Sequence, residues 1–559
     1  MAALACYLRL AGTQAVNSDG AAQALQAWDM LHGNLLLHGW TVSDVSFYTT
    51  ELPEYALVDF FRGLIPDVVH VAAAITYTLV VLLAALLAKS TATGRAALVR
   101  VLVTVGIMIA PQLPQGINIL ISSPDHIGTS APILVAWLIL DRARSRRWVP
   151  VAIAVVLGWA AIADQLVLIV GVLPLVFVCL VRVINAVGVE RQELRAQRYD
   201  LALGAGALAG GGAAWLALRL LSAAGGFGLQ PLAAHLDSSV ADLPSHLAIA
   251  GQGLLLLGGA DFIRQPPGVG AGALALHLVG VGLAALAVLA AAIQFLHGRN
   301  RVNQVLVAGV AFNLAAYAFS TRAIQIRDVR EMAPVLPLSA VLAGRLLADR
   351  IRVNKVALPA LSVVFLGYLV GLGYELTTPQ VPAQNEQIAF WLEAHHFQSG
   401  LSGYWQGNVI ALTTGERVRV APMMGQDDGF VPIYWDTKPS WYDPRQSSAN
   451  FILIGPTFPN VKGAVTTFGQ PAHVYSVGPY EVLTYSKNLL TDLGRRVEAA
   501  RPPAEVGRMS HGTPCCAVAA ACHHHAPGGP GVGAALTAAS QPGDSSPWPG
   551  AWNRTQPRK

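Results

Sequence analysis

The sequence predicts an all-α polytopic membrane domain of about eleven transmembrane helices, followed by a small extracytoplasmic α/β domain. Three observations carry this reading. Hydrophobic residues make up 53% of the chain and charged residues only 12%, roughly half the ~25% charged content of a soluble domain. Apolar runs long enough to cross ~30 Å of hydrocarbon recur through residues 1–375. The basic residues between those runs fall in every second loop, the pattern that orients membrane proteins.

Ten spans are placed near 67–88, 98–120, 126–141, 148–163, 166–186, 201–223, 270–296, 303–320, 332–348 and 354–374. The eleventh is the N-terminus, where 16 residues interrupted by Arg9 precede the polar NSDG. At 1.5 Å per residue such a helix reaches about 24 Å, short of a full crossing, so the true start is expected upstream. The opening segment lacks a basic start and a processing site, and no cleavable signal peptide is read there. Lys89, Arg95 and Arg100 follow one span; Arg142, Arg144, Arg146 and Arg147 follow another. Further basic loops carry Arg182, Arg191, Arg195 and Arg198, then Arg299 and Arg301, then Arg350, Arg352 and Lys355. These loops are assigned to the cytoplasm. The alternate loops, 17–66, 121–125, 164–165, 224–269 and 321–331, then face outward, as does the domain after residue 375, in a plasma-membrane protein. A net charge of +5 spread over short loops excludes a nucleic-acid-binding surface.

Residues 376–490 change character. The run AQNEQIAFWLEAHHF has helical spacing, with Ile388, Trp391 and Leu392 on one face. Strand-like runs follow: NVIALTT, RVRVAPM, NFILIG, HVYSV and YEVLTYS, the last two flanking a hairpin turn at Gly478-Pro479. Its aromatics, Tyr404, Trp405, Tyr434, Trp435, Trp441 and Tyr442, suit either packing or stacking on sugar rings. Residues 491–559 are rich in Gly, Pro, Ala and Ser and read as a disordered tail. Of the five cysteines, Cys6 and Cys179 lie in apolar runs and Cys515, Cys516 and Cys522 in the tail, so the α/β domain needs no disulfide. The tail cysteines with His523–His525 match no structural zinc spacing.

Four places at the outer ends of spans carry ionisable residues, the informative positions in a membrane protein. Asp19 opens NSDGAAQALQAWDMLHGN, whose Ala21, Leu25, Trp28 and Leu31 share a face, as in a helix lying along the membrane surface. The competing account is that Asp19 merely caps this helix. Glu51 stands in SFYTTELPEYALV between Tyr48 and Tyr55, against the simpler reading of a solvated loop acid. Asp125 and His126 sit in SSPDHIGTSAP, as helix cap and proton carrier or as structural residues. The loop TRAIQIRDVREMAP brings Arg322, Arg327, Asp328, Arg330 and Glu331 together. Three arginines on the outer side run against the charge bias, and guanidinium groups grip phosphate through paired N–H donors. The bland alternative is pairing with Asp328 and Glu331.

In this order, these positions resemble the GT-C superfamily of membrane glycosyltransferases, particularly the polyprenyl-phosphate-sugar-dependent branch of protein O-mannosyltransferases and aminoarabinose transferases. The likeness rests on Asp19 with MLHGN closing its helix, on Glu51, Pro53 and Tyr55, and on Asp125. It also rests on Arg322 to Arg330 before APVLPLSAVLAGRLLA, and on the GYW and NFILIG runs. Where family members carry a Lys-Pro-Pro step after the second acid, this chain has Leu52-Pro53-Glu54. The resemblance implies a sugar donor on a polyprenyl phosphate and an acceptor hydroxyl on a glycan, lipid or protein, in contact with membrane lipid. It implies Asp19 as general base, Glu51 and Asp125 as orienting acids, and Arg327 and Arg330, with Arg322 third, at the donor phosphate. His126 and Glu331 are possible accessories, and attack opposite the phosphate would invert the anomeric carbon. No metal ligands and no required cofactor are read, the need for a divalent metal being left open, and the 224–269 loop with Asp237, Asp242 and Asp261 is a candidate lid. A transporter or lipid-sugar flippase is the main alternative, with Asp164-Gln165 as its best support. An inactive scaffold of the same fold is the other.

Overall fold

The computed structural model describes residues 2–109, 114–143, 145–232, 234–236, 239–262, 271–296, 298, 300–383, 385–426 and 428–499. The tail from 500 on, with its cysteines and histidines, and Arg144, Asp237 and Arg299 lie outside the described residues. Chain contacts divide the molecule into two compact units. The first is helical and runs to Gln398, taking in Asn408–Arg419 and Tyr434–Trp441 as well. The second is built from Ser399–Gly407, Val420–Ile433 and the chain from Tyr442 on.

Nine helices open the first unit: α1 (Ala2–Ala11), α2 (Ser18–Leu31), α3 (Glu51–Arg62), α4 (Asp67–Lys89), α5 (Gly94–Met108), α6 (Pro114–Ile121), α7 (Asp125–Gly128), α8 (Ser130–Arg142) and α9 (Val149–Ala163). Among the described residues, five helices are long and apolar enough to cross a membrane: α4, Leu168–Val189, Leu194–Ala223, Leu274–Ile293 and Ala357–Glu375. Four more, α1, α9, Leu243–Leu257 and Val335–Leu346, are apolar but shorter. Eleven spans of full length are therefore not reached among the described residues. The runs read as 98–120 and 126–141 are each divided, the first between α5 and α6, the second between α7 and α8.

Two further readings change. The 224–269 segment, expected as an open loop, contains the apolar helix Leu243–Leu257. Its 15 residues include His246 and Gln252, too short and too polar for a criterion set by bilayer thickness. The α2 helix, expected to rest on the membrane surface by an apolar face, packs inside the protein: from Ser18 to Ala27 every residue but Asp19 is buried, with α3 and α4 as neighbours. Ala21, Ala22, Ala24 and Ala27 are all fully buried, and small side chains let neighbouring helices approach closely. Gly20 serves the same end, since a Cβ there would stand 2.6 Å from Val69 Cγ1 and 3.3 Å from Ser123 Cβ. Exposed apolar side chains stand instead on α3, whose Leu57, Phe60 and Phe61 are 60%, 70% and 76% exposed while Glu51, Leu52, Tyr55 and Asp59 are buried. An amphipathic helix with aromatics outward fits a membrane interface.

Two short strands of the first unit, β1 (Thr41–Val42) and β2 (Gly228–Leu229), pair in parallel. The second unit is organised by a six-stranded sheet of order β5-β4-β3-β6-β8-β7. Its strands are β3 (Ser399–Gly403), β4 (Arg419–Gln426), β5 (Gly429–Pro432), β6 (Phe451–Ile454), β7 (His473–Val477) and β8 (Tyr480–Thr484). The β7–β8 hairpin turns at Gly478-Pro479 as expected, with Val477 opposite Tyr480 and Gly478 at φ 58°, a value glycine adopts without a Cβ penalty. NVIALTT, read as a strand, belongs to the helix Tyr404–Thr413. Its run of apolar residues is compatible with either element when both faces are buried, as Val409, Ile410, Ala411 and Leu412 are. Residues 491–499, assigned to the tail, continue the helix Leu489–Ala499.

Candidate active site

The first turn of α2 is held from below. Asn17 keeps extended dihedrals and its side chain accepts from Gly20 N at 2.8 Å, the geometry of an N-cap. Asn17, not Asp19, therefore caps α2, and the Asp19 carboxylate is left to act elsewhere. The Asn17 amide also donates to Ser123 Oγ at 3.4 Å, and Ser123 Oγ donates to Asp125 Oδ2 at 2.8 Å. The start of α2 and the turn before α7 are thus one hydrogen-bonded unit.

Arg330, on the 3₁₀ helix Ile326–Met332, closes this unit electrostatically. Its Nη1 donates to Asp19 Oδ2 at 3.2 Å and lies 4.0 Å from Asp125 Oδ2. One guanidinium therefore faces two carboxylates contributed by α2 and α7. Burial pushes the Asp125 carboxyl above the usual range; Arg330 pulls it back and Asp19 adds to the rise. Asp125 also holds a left-handed φ of 28°, a strained choice for a residue with a Cβ. Gln23, one turn after Asp19, donates from Nε2 to Asp125 Oδ1 at 3.4 Å.

Beside Asp125, His126 Nδ1 lies 2.9 Å from Asp164 Oδ2. Burial opposes the charged ring, but the Asp164 carboxylate outweighs it and pushes His126 up to about 9. Burial raises Asp164 too, yet His126, Thr129 and the Leu166 N–H, 2.8 Å from Oδ1, together hold it below the ordinary value. Asp164 is thus an ion-pair partner at the end of α9. Glu51 approaches from α3 and is 2% exposed. It accepts from Thr50 Oγ1, while its Oε1 has no partner among the described residues. Burial drives its pKa up to about 8, with the Asp164 charge adding to it. Its carboxyl lies over Gly128, where any Cβ would overlap Oε1.

The three arginines part company. Arg330 faces Asp19 and Asp125. Arg322 is held by acids of its own loop, Glu331 at 2.9 Å and Asp328 at 3.7 Å. Arg327 keeps a buried Nη2 with no hydrogen-bond partner among the described residues, and burial lowers its pKa. Glu331 is spent on Arg322, though its charge also acts on His126. The pairing alternative therefore describes Arg322 and not the other two.

Asp19, Gln23, Asp125, His126, Arg330 and Trp435 line one open pocket, whose atom-free space of about 450 Å³ includes the solvent at its mouth. Sequence reasoning had passed over Gln23 and Gln26, which follow Asp19 at four and seven residues, a polar stripe on a helix face. It also passed over Ser123 and Asp436, whose signals lie in contacts 106 to 410 residues apart. Among the described residues, no group of three or more His, Cys, Asp or Glu is arranged to hold a metal ion.

No family model matches the sequence, and no curated protein is significantly similar to it. Solved structures are similar in fold. One is ArnT from Cupriavidus metallidurans bound to undecaprenyl phosphate, which matches 86% of this chain and 96% of its own at a TM-score of 0.52 and 13% identity. Another is the oligosaccharyltransferase AglB from Archaeoglobus fulgidus, in complex with an inhibitory peptide and a dolichol-phosphate, covering 87% of this chain and 74% of its own at a TM-score of 0.43 and 12% identity. The fold of this chain is therefore similar to that of the ArnT structure over most of its length.

Proposed function

We propose that this chain is a multi-pass membrane glycosyltransferase that moves a sugar from a polyprenyl phosphate to an acceptor hydroxyl at the outer face of the plasma membrane. The observation that carries the reading is the placement of Asp19 and Asp125 around Arg330 in one open pocket. The acceptor oxygen attacks the anomeric carbon and its proton passes to Asp19. The bond from that carbon to the phosphate oxygen breaks, and the lipid phosphate leaves as an anion. Such a leaving group needs positive charge more than a proton. Arg330 supplies it, with Arg327 second because its buried Nη2 has no hydrogen-bond partner among the described residues. Arg322 has only a supporting part, since Glu331 and Asp328 already engage it. Attack from the face away from the phosphate inverts the anomeric centre. Asp125 orients the acceptor, while His126 and Glu51 shape the floor behind it. The acceptor class is a hydroxyl of a glycan, lipid or protein. Residues 376–490 form the extracytoplasmic domain in this reading.

The test uses purified full-length protein in lipid, labelled polyprenyl-phosphate sugars and membrane extract as the acceptor source. Wild type is compared with Asp19→Asn and Arg330→Ala, each checked for folded protein. Transfer by wild type that Asp19→Asn abolishes is the expected result. Equal transfer by Asp19→Asn removes Asp19 from the mechanism. Absence of transfer from every donor moves the assignment to a lipid-sugar transporter or an inactive scaffold.

A further inference from the structure

The pocket holds two groups with nothing to do in the chemistry just described. Gln23 is 4% exposed, and its amide nitrogen is committed to Asp125 Oδ1. A carboxylate oxygen accepts, so the nitrogen must face it, leaving Oε1 as a second, separate acceptor. That Oε1 is buried and has no donor among the described residues. Leaving a buried acceptor unmatched is costly, and a donor brought by a ligand would satisfy it.

Across the pocket stands Trp435. Among the described residues its ring meets no other ring, and its indole N–H makes no hydrogen bond. The segment carrying it is nevertheless firmly held. Thr41 N donates to Thr437 O at 2.8 Å and Thr437 N to Thr41 O at 3.0 Å. Asp436 Oδ1 accepts from Ser43 N at 3.0 Å and from Gln26 Nε2 at 3.1 Å. Lys438 Nζ pairs with Asp29 Oδ2 at 2.7 Å. Five contacts therefore fix the segment on either side of an aromatic ring that stacks on no other ring among the described residues.

We propose that Gln23 and Trp435 form the sugar-ring subsite of this pocket, with Trp435 stacking on a hexopyranose and Gln23 Oε1 accepting from one of its hydroxyls. The chemistry matches the two faces of such a ring, apolar C–H groups on one side and hydroxyl donors around the edge. Gln26, whose amide nitrogen is held by Asp436, lacks the feature that marks Gln23, because its Oε1 is not among the buried atoms left without a partner in the described residues. The proposal rests on the glycosyl-transfer reading and adds to it the residues that select the sugar. Both act on recognition, so their loss changes KM and sugar preference before kcat.

The experiment uses the full-length protein in lipid, a set of singly deoxygenated polyprenyl-phosphate hexoses as donors, and methyl hexosides for saturation-transfer NMR. Wild type is expected to discriminate at least tenfold against one deoxy donor, and Gln23→Ala to lose most of that preference, roughly 3- to 10-fold. Trp435→Ala should raise the donor KM about tenfold with little change in kcat, and Trp435→Phe should recover most of it. The phenyl face also serves as the control for folding. Wild-type transfer with unchanged KM and unchanged deoxy preference in both variants overturns the proposal and leaves transfer standing. No transfer by wild type, with a hexoside signal that Trp435→Ala abolishes, overturns the transfer reading and leaves the sugar subsite. Loss of both transfer and hexoside signal in wild type overturns the two together.

Discussion

Replacing Arg330 by Gln probes the charge arrangement directly. The residue faces Asp19 at 3.2 Å and Asp125 at 4.0 Å from one nitrogen. At these separations and an effective dielectric constant of about 20, each attraction is on the order of 4–5 kcal/mol before costs. The Arg330 side chain is 34% exposed, so water screens the pair, and its own desolvation offsets much of the gain. A net loss of about 1–3 kcal/mol remains, which lowers the unfolding temperature by roughly 2–6 °C. The loss should also depend on pH. Burial already raises the Asp125 carboxyl, and Arg330 is the group that pulls it down. Without the arginine the folded-state pKa rises further, so the native protein holds a proton that the unfolded chain releases near pH 4. Stability of the variant is then fullest at low pH and falls as pH rises through the folded-state value. Thermal unfolding of both proteins in the same detergent between pH 5 and 8 measures this. The deficit of Arg330→Gln should grow across that window, and Asp125→Asn in the same background should flatten it. A deficit independent of pH, or none at all, would refute the placement of Arg330 between the two acids.

Two further substitutions test the walls of the site. Gly128→Ala puts a Cβ where Glu51 Oε1 now lies, so the acid must move; a stability loss of about 1–3 kcal/mol is expected, relieved by Glu51→Ala in the same chain. Asp164→Asn removes the charge that pushes His126 up to about 9. The stabilisation from that raised pKa is complete below about 6.5 and disappears as pH rises through 9, so the variant's deficit should be largest in acid and vanish in alkali, read by thermal unfolding across pH 5 to 10.

How much of this was legible in the sequence follows from the range of each interaction. The helix Glu386–Ala394, the strands β6, β7 and β8 and the hairpin at Gly478 were readable because their determinants lie within a few residues. NVIALTT was misread because a helix buried on both faces and a buried strand share one composition. Span counting overreached for a related reason. Hydropathy reports that a run avoids water, whereas α1, α9 and Val335–Leu346 avoid it at less than full bilayer length. The burial of α2 is written in four alanines that look merely neutral until a neighbouring helix is present. At the site, the acids and arginines could be nominated singly, but their division of labour could not. Nothing local separates Arg322, engaged by Glu331, from Arg330, which reaches a carboxylate 311 residues away.

That separation explains why the network joins so many elements. Asp19 stands on α2, Asp125 on α7, Asp164 at the end of α9 and Arg330 between two later helices, each acid offset by a cation from a different element. A buried carboxylate is costly unless paired, so the pairs disfavour arrangements in which these helix ends come apart. One unmatched group lines the pocket itself. Gln23 Oε1 is a buried acceptor without a partner among the described residues, and in the proposed reading a sugar hydroxyl supplies its donor. Arg327 Nη2, a buried donor likewise unpartnered among the described residues, belongs to the same segment as Arg330, and in that reading it meets the anionic phosphate at the other end of the donor.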